Sequence, residues 1–376
     1  MSVNVTAAIA VGFIIFFAAG SAFIMTAGTS DTDDLDINII AKANINGSGI
    51  FADRPLSIAP ANQTEINEWG GLVFMTPGPG SIQHYMLGKF ITEDLKLKYA
   101  MYKEGVALMA DTVYWVQIAP KDMKELFLNN LGTFNGGFPW EPFYSDILIN
   151  ISVAEAVASS GELEENHPCC MVAARTSYLQ SNEGAVLRFL SAYTEALEWV
   201  NEALSNPGSA DYLKLLDITS QFSGVSPATL VQAFGTLTYM YDLVDNTGVA
   251  SLEEYTSNLV VSFESLGLIT KHVDDPTAFA NQFINHKYLD KILTDGRTEE
   301  YPSQRIKIRV GHLGGDIHQI GFVVGMKMNI FDKYGIDLVT ILYGNGPGVM
   351  QAFQLGIIDI GILGLPPAVM NTANFR

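Results

Sequence analysis

Residues Arg305 to Gln319 read RIKIRVGHLGGDIHQ, an alternating strand followed by a glycine turn and the start of a helix. This succession is typical of the beginning of an α/β domain, because a strand that leads through a tight turn into a helix starts a βαβ unit. Here it lies near the end of a chain of 376 residues. The order of the elements along the chain is therefore unusual.

The alternation continues to the C-terminus. A helix is predicted from DIHQ to Gly335, then a strand in IDLVTILYG, a helix from Pro347 to Gly356 and a third strand in IDIGILG. This βαβαβ pattern predicts a parallel sheet with helices on its faces. The last helix, in LPPAVMNTANFR, has no strand after it, whereas the strand that opens DINIIAKANINGSGIF at Asp36 has no helix before it.

A second α/β alternation runs from Gly71 to Arg175, and helical periodicity dominates from Asn182 onward. The segment TDGRTEEYPSQ, Thr294 to Gln304, is polar and lacks periodicity, which is typical of a linker. With 48% hydrophobic residues the chain can form the cores of two domains. Its net charge of -19 argues against a nucleic-acid partner.

The N-terminal stretch Thr6 to Met25 has no charged residue, and its length matches a bilayer's hydrocarbon core. It predicts a targeting or anchoring segment and an extracytoplasmic protein, either membrane-anchored at the cell surface or secreted. Small residues at Met25 to Ala27 would suit a peptidase, whereas no Lys or Arg precedes the apolar run. Cleavage therefore stays open.

The two cysteines, Cys169 and Cys170, are adjacent, so they cannot link distant parts of the chain. Three states are open for them: buried strand residues, a strained vicinal disulfide, or a thiolate pair.

Five segments together resemble the substrate-binding proteins of ABC transporters, in the nitrate, sulfonate and taurine group. They are RIKIRVGHLGGDIHQIGFVVGMKMNIFDKYGIDLV, NGPGVMQAFQLGIIDIGILG, MTPGPGSIQHYML, WEPF and HPCCMVAAR. The resemblance implies an α/β, two-lobed fold of the periplasmic-binding-protein type II class, with ligand held between the lobes. It also implies two partners, a small-molecule ligand and an ABC transporter permease.

In that family the strand that resembles Arg305 to Leu313 comes first. The departure from that order indicates a circular permutation, and a gene-model artefact or a slice of a tandem array would produce the same order. The expected division is a signal or anchor segment with spacer at 1–34, lobe one at 35–54 and 173–376 with its linker at 294–304, and lobe two at 55–172. The lobes are expected to be joined by crossings near NINGSGIFAD and CCMVAARTSY.

Three glycine-rich loops follow predicted strands, where open parallel sheets bind ligands and helix N-termini favour negative groups. They are GHLGGDIHQ, GNGPG and TPGPGSIQHY, and each is equally well explained as a tight structural turn. The candidate ligand-binding residues are Gly314, Gly315, Asp316, His318, Gln319, Asn345, Gly346, Gly348, Pro79, Gly80, Ser81, His84, Trp140 and Glu141.

The chemistry of these residues is compatible with more than one class of ligand. His318 and Gln319 can donate to an oxyanion, whereas Asp316 and Glu141 favour an amine or a ring nitrogen, so sulfonate, zwitterion and nitrogen heterocycle all remain candidates. Trp140 either stacks on ligand or fills apolar space. His318 and His84 have solvated surface positions as the alternative.

The sequence contains no HExxH spacing and no GxSxG elbow, so no enzyme activity, metal or cofactor is predicted. Two other functions remain as alternatives. One is a ligand-sensing ectodomain, and the other is an enzyme related to thiamine-pyrimidine synthesis, which would need a lysine carrying pyridoxal phosphate.

Overall fold

The computed structural model describes residues 36–244 and 251–375. The strands in these ranges are β1 (Ile37–Lys42), β2 (Asn44–Asn46), β3 (Gly49–Ala52), β4 (Val73–Thr76), β5 (Lys98–Met101), β6 (Thr112–Gln117), β7 (Gly136–Gly137), β8 (Glu155–Ser159), β9 (Cys170–Arg175), β10 (Leu237–Tyr239), β11 (Ile306–Leu313), β12 (Ile336–Tyr343) and β13 (Ile360–Gly364).

The α-helices in the same ranges are α1 (Gln63–Asn67), α2 (Ile82–Lys89), α3 (Pro120–Asn129), α4 (Phe143–Asn150), α5 (Ser160–Leu163), α6 (Thr176–Ser181), α7 (Glu183–Ser205), α8 (Ala210–Ser223), α9 (Pro227–Ala233), α10 (Leu252–Ser265), α11 (Pro276–Phe283), α12 (Lys287–Asp295), α13 (Ile320–Lys327), α14 (Ile330–Lys333), α15 (Gly346–Gln354) and α16 (Leu365–Phe375). A π-helical turn, Phe90–Asp94, extends α2, and short 3-10 turns lie at Phe234–Thr236 and Ile317–Gln319.

Both ends of the described chain contribute to one five-stranded sheet, in the order β1-β9-β13-β11-β12. Strands β12, β11 and β13 run parallel, as the βαβαβ pattern predicts. Strand β9 is antiparallel to both of its neighbours, β13 and β1. The C-terminal segment therefore does not form a separate domain, and it joins β1 through β9 rather than by direct pairing.

A six-stranded sheet has the order β5-β6-β4-β7-β3-β8. Its first four strands are parallel, and β3 pairs antiparallel with both β7 and β8 at one side of the sheet. We call the five-stranded sheet with its helices the first lobe and the six-stranded sheet with its helices the second lobe.

The chain passes between the two sheets twice. The first crossing leads from β1 through β2, which pairs with β10, to β3. The second leads from β8 to β9. Because β3 pairs with β7 and β8, and β9 pairs with β1 and β13, the crossings lie before Gly49 and before Cys170. Both precede the expected lobe boundaries at residues 54 and 172.

The core of each lobe follows the apolar pattern of its strands. Every residue of β1 is buried, as expected for a strand covered on both faces, and the long helix α7 packs on this sheet through α13 and α14. Phe189 of α7 lies 5.3 Å from Phe331 between ring centroids, and Phe331 lies 5.3 Å from Phe322. In the second lobe Phe51 and Phe127 form an edge-to-face pair at 5.0 Å inside the main cluster.

The single helix expected from DIHQ to Gly335 is interrupted. Asn329 has a φ of 58°, a left-handed conformation that ends α13 and lets α14 begin in a new direction. Asparagine adopts this conformation more readily than most residues do. A single asparagine can therefore interrupt the helix although the apolar pattern continues past it.

The predicted linker is tied to the first lobe. The backbone N–H of Thr298 donates to Ser191 Oγ at 3.0 Å, and Arg297 donates to Thr194 Oγ1 at 3.1 Å. Lys333 forms an ion pair with Glu300 at 2.9 Å. The segment thus follows the surface of α7 and α14.

Within the described residues no helix combines the length and apolar character needed to cross a bilayer. The segment Thr6 to Met25, for which an anchor is expected, lies outside the described residues.

Candidate functional site

A cleft with a volume of about 70 Å³ lies between the two lobes. It is lined at the carboxyl ends of parallel strands, where the loops of an open α/β sheet collect. Its lining residues are Pro77, Gly78, Pro79, Gly80, Ser81, Ile82, Gln83, Gln117, Trp140, Cys169, Cys170, Leu313, Asp316, His318, Asn345, Gly346, Pro347, Gly364 and Pro367.

On the first-lobe side, the turn after β11 holds a carboxylate–imidazole pair. Asp316 accepts a hydrogen bond from the His318 backbone N–H at 3.0 Å, and its Oδ1 lies 2.5 Å from Nδ1 of the same histidine. Gln319 donates to Asp316 Oδ2 at 3.3 Å and accepts from the Leu313 N–H at 2.9 Å. All of these groups are buried, so the pair is held rigidly by its own turn.

The second glycine loop of this lobe is a helix cap. Asn345 Oδ1 accepts from the Gly348 N–H at 2.9 Å and starts α15. A Cβ on Gly346 would lie 2.5 Å from Pro367, so this glycine allows the loop to approach the start of α16.

On the second-lobe side, Ser81 caps α2. Its hydroxyl accepts from the His84 N–H at 3.2 Å and donates to the Gly78 carbonyl at 2.8 Å. Gly80, with a φ of 86°, faces the first lobe: a Cβ there would lie 2.7 Å from the Met370 side chain of α16. The two lobes are therefore in close contact at this rim of the cleft.

The charge of the cleft is nearly balanced. Among its lining residues there is no Lys or Arg, and Asp316 and His318 provide the acidic and basic groups. Burial lowers the pKa of His318, but the Asp316 carboxylate and the Cys169 thiol outweigh it, so the pKa of the imidazole lies well above its usual range. The Asp316 carboxylate thus favours the imidazolium form of His318.

The floor of the cleft contains Cys169 and Cys170, both buried and both free thiols. The vicinal disulfide considered from the sequence is therefore absent. Sγ of Cys170 lies 3.9 Å from Asp316 Oδ2. The pKa of the Cys169 thiol is lowered first by the adjacent Cys170 thiol and then by the His318 imidazolium, while burial acts in the opposite direction.

Two buried side-chain nitrogens at the cleft have no hydrogen-bond partner within the described residues. They are Nε1 of Trp140 and Nε2 of His318. The second nitrogen sits against Gly47 of the first crossing, where a Cβ would come within 2.4 Å of it. Because an unpaired buried donor costs roughly 1–3 kcal/mol, such groups are expected to be satisfied by a ligand or water.

Of the sequence-predicted site residues, the structure places Pro79, Gly80, Ser81, Trp140, Asp316, His318, Asn345 and Gly346 on the cleft. The others lie away from its lining. His84 is enclosed between the rings of Tyr99 and Trp115 at 5.2 and 4.6 Å, and burial lowers its pKa to about 4. Its Nδ1 forms a hydrogen bond with Thr76 Oγ1 at 3.1 Å.

Glu141 is fully buried and engaged internally. Its carboxylate accepts from the Ser145 N–H at 3.0 Å and from the hydroxyls of Ser145 and Thr236 at 2.8 and 3.1 Å, while burial raises its pKa. Gln319, Gly314, Gly315 and Gly348 are also absent from the lining, because they build the turns that carry Asp316 and Asn345.

Several lining residues were not predicted as site residues, among them Gln83, Gln117 and the two cysteines. Gln83 donates to Ser48 Oγ at 2.8 Å and thereby connects α2 to the first crossing. The adjacent cysteines were conspicuous in the sequence, but no local signal places them beside Asp316, because the contact joins residues far apart in the chain.

No group of three or more His, Cys, Asp or Glu side chains among the described residues is arranged to hold a metal ion. The cleft is thus a small, nearly neutral site with hydrogen-bond donors from both walls.

Comparison with known proteins places the chain in a family. The model of the NMT1-like family matches residues 13–214, more than half of the chain. The chain belongs to the NMT1-like family. No curated protein sequence matches this NMT1-like protein closely enough to count as a relative.

Solved structures of two-lobed binding proteins resemble this NMT1-like protein. The periplasmic nitrate-binding protein NrtA from Synechocystis PCC 6803 has 13% identity and a TM-score of 0.49, over 69% of this chain and 67% of that one. The alkanesulfonate-binding protein SsuA from Xanthomonas axonopodis pv. citri has 14% identity and a TM-score of 0.45, over 67% and 74%. The aliphatic sulphonate binding protein SsuA from Escherichia coli has 15% identity and a TM-score of 0.42, over 65% and 69%.

Proposed function

We propose that this protein is an extracytoplasmic solute-binding protein that captures a small polar ligand between its lobes and delivers it to an ABC transporter permease. The observation that carries the proposal is the cleft itself, to which Trp140 and His318 present buried nitrogens without partners among the described residues. A ligand with hydrogen-bond acceptors satisfies both nitrogens when the lobes close, and the closed shape is what a permease recognises.

The character of the cleft narrows the ligand class. NrtA and SsuA are named for nitrate and alkanesulfonate. In this chain the imidazolium of His318 is already compensated by Asp316, and no Lys or Arg lines the cleft. A zwitterion or a neutral nitrogen-containing molecule therefore fits this cleft better than a strong anion does.

The two chain crossings between the sheets can act as a hinge about which the lobes close. We propose that residues 49–169, which include β3 to β8, form the second lobe that closes on ligand, and that the residues before and after this range, with the linker 294–304, form the first lobe. The crossing before Gly49 and the crossing before Cys170 then supply the bending points.

A circularly permuted order accounts for the chain's ends. Strand β1 runs parallel to β13 with β9 between them, and α16 follows β13. In the unpermuted order α16 would lead into β1. The resemblance of the β11 region to the opening of the family supports this proposal.

The N-terminal apolar stretch, Thr6 to Met25, completes the proposal. We assign it the role of exporting the chain and, if it is retained, of anchoring it at the membrane.

The test is a thermal-shift screen with nitrate, bicarbonate, taurine, alkanesulfonates and pyrimidines. A ligand that binds only the folded chain raises its unfolding temperature in a concentration-dependent way. At a ligand concentration of 100 times the dissociation constant, the free energy of unfolding rises by about 2.7 kcal/mol. A higher unfolding temperature with taurine or a pyrimidine, but not with an alkanesulfonate, supports a zwitterionic or neutral ligand. A shift with nitrate or alkanesulfonate alone contradicts the ligand class, and no shift with any compound contradicts solute binding of these classes.

A further inference from the structure

Solute capture leaves one group of the cleft without a role, the thiol of Cys169. It is 3% exposed and lines the floor of the cleft together with His318, which is 1% exposed. We propose that Cys169 is a nucleophilic thiolate with which the cleft captures a small, uncharged α,β-unsaturated carbonyl compound as a covalent adduct, one per chain.

The geometry is that of a nucleophile, a proton carrier and an orienting carboxylate. Asp316 Oδ1 holds His318 Nδ1 at 2.5 Å and so directs the opposite nitrogen, Nε2, away from the carboxylate. That nitrogen has no hydrogen-bond partner within the described residues, and Cys169 is among the groups that raise the pKa of the same ring. A Cys–His pair oriented by a third group is the arrangement that activates cysteine nucleophiles, and its hydrogen bond is often loose before ligand binds.

The electrostatic surroundings favour the thiolate. The groups that act on Cys169 are the Cys170 thiol, the His318 imidazolium, the Asp316 carboxylate and the Tyr255 hydroxyl. The first two stabilise the anion and lower its pKa, whereas Asp316 and burial oppose it. Glu141 and His167 act on the imidazolium, and burial lowers the pKa of His167 to about 4, so this histidine adds no charge at neutral pH.

The addition needs no second reactant. The Cys169 sulfur attacks the β-carbon, a C–S bond forms, and the C=C π pair moves to the α-carbon. His318 Nε2–H gives its proton to the α-carbon, and the pair ends as a neutral imidazole beside a thioether. The carbonyl oxygen accepts from Trp140 Nε1–H, the other unpartnered donor of the described cleft, which polarises the double bond.

Size and charge set the ligand class. A cleft of about 70 Å³ admits a molecule of a few heavy atoms, and an uncharged one avoids disturbing the Asp316–His318 pair. Acrylamide meets both requirements and serves as the probe.

The experiment measures acrylamide adducts on the full-length chain by intact mass and by fragment mass spectra. We expect one adduct, on Cys169, which is absent in Cys169→Ser and retained in the matched control Cys170→Ser, where a hydroxyl remains next to Cys169. At pH 6.5 an ordinary thiol is roughly 1% ionised. Allowing for the lower nucleophilicity of an acidic thiolate, the folded chain should react about 5-fold faster than the urea-unfolded chain.

The pH profile separates an activated thiolate from a merely accessible thiol. The rate for Cys169 should be nearly flat between pH 7 and 8, whereas an ordinary thiol gains about 10-fold per pH unit. His318→Gln should restore that rise. Should this variant not fold, absorbance at 240 nm, compared between the unsubstituted chain and Cys169→Ser across the same pH range, reports the thiolate directly.

An adduct on Cys170 alone, a rate that rises 10-fold between pH 7 and 8, or labelling only after unfolding would each overturn the proposal. The outcome is independent of solute binding, since a chain that shows thermal shifts with solutes but no adduct rejects covalent capture alone.

Discussion

Oδ1 of Asp316 lies 2.5 Å from Nδ1 of His318, and both side chains are almost completely buried between the lobes. A buried imidazolium–carboxylate pair ties the stability of the fold to pH, because the pKa of His318 is raised above its usual range. The stabilisation is complete below about pH 6.5, the ordinary histidine pKa, and is lost as pH rises through the folded-state pKa.

The free energy of unfolding should therefore fall as pH rises above 6.5, and His318→Gln should remove the part of this fall that comes from His318. Cys169 has a lowered pKa and contributes with the opposite sign, so both measurements are made with Cys169→Ser present. Urea unfolding of Cys169→Ser should show a free energy that decreases by up to about 1.4 kcal/mol per pH unit between pH 7 and 9. Cys169→Ser/His318→Gln should have a smaller slope, and the remainder comes from Cys170, whose raised pKa in the folded chain also makes stability fall as pH approaches 9.

Three other buried histidines do not interfere in this window. The pKa values of His84, His167 and His312 are lowered to about 4 by burial, so they affect stability only at lower pH. Equal slopes in the two variants above pH 7 would show that the Asp316–His318 pair is not charged in the folded protein.

Gly47 is predicted to tolerate no side chain. Its φ is 94°, and a Cβ would lie 2.4 Å from both His318 Nε2 and the Leu237 side chain. Gly47→Ala should lower the free energy of unfolding by about 3 kcal/mol or more, because overpacking adds to backbone strain. The matched control is Gly105→Ala, at a φ of 79° with nothing within 4 Å, which should cost only about 1–2 kcal/mol. Urea denaturation measures both, and equal losses would mean that the crossing is not packed against His318.

Trp140→Phe should weaken ligand binding without unfolding the protein. The change removes the unpartnered Nε1 donor of the described cleft and keeps an aromatic ring, so calorimetry with a ligand from the solute screen should show a loss of roughly 1–3 kcal/mol. Trp69→Phe is the control, since Trp69 is fully buried in the same lobe and donates to the Ser57 carbonyl at 3.1 Å. Similar affinity losses in both variants would remove Trp140 from the proposed site.

A chain rearranged into the proposed unpermuted order should fold. We expect a chain that runs from Arg305 to Phe375, continues through a short Gly-Ser linker to Asp36 and ends at Gln304 to unfold cooperatively and to bind ligand as a monomer in light scattering. The reason is that β1, β9 and β13 then pair as before. Aggregation, or binding confined to dimers, would instead indicate that the ends of α16 and β1 are too far apart to be joined.

The strand and helix alternation of residues 305–364 could be predicted because each segment has a clear period and a glycine or proline at its limits. The two-residue strand Gly136–Gly137 could not, since it has no apolar pattern, although it lies between β4 and β3 in the six-stranded sheet. Its glycines are required because a Cβ at Gly136 would lie 2.2 Å from the Phe51 carbonyl oxygen. This requirement for glycine comes from residues that are distant in sequence, so the local sequence does not reveal it.

The candidate site divides in the same way. Asp316, His318 and Ser81 were predicted because they follow strands at glycine turns. The approach of Cys170 to Asp316 depends on β9 entering the sheet beside β13, a tertiary arrangement without a local signature. The turns that carry the cleft could therefore be predicted, whereas the chemistry of its floor could not.

The position of β9 also determines when each lobe can form during synthesis. The six-stranded sheet is complete once Ser159 has left the ribosome, whereas β9 gains its β13 neighbour only when residues 360–364 appear. Until then β9 has one unpaired, largely apolar edge, the kind of strand that aggregates with other chains. A nascent chain of this protein therefore carries a complete six-stranded sheet beside an incomplete five-stranded sheet until residues 360–364 are made.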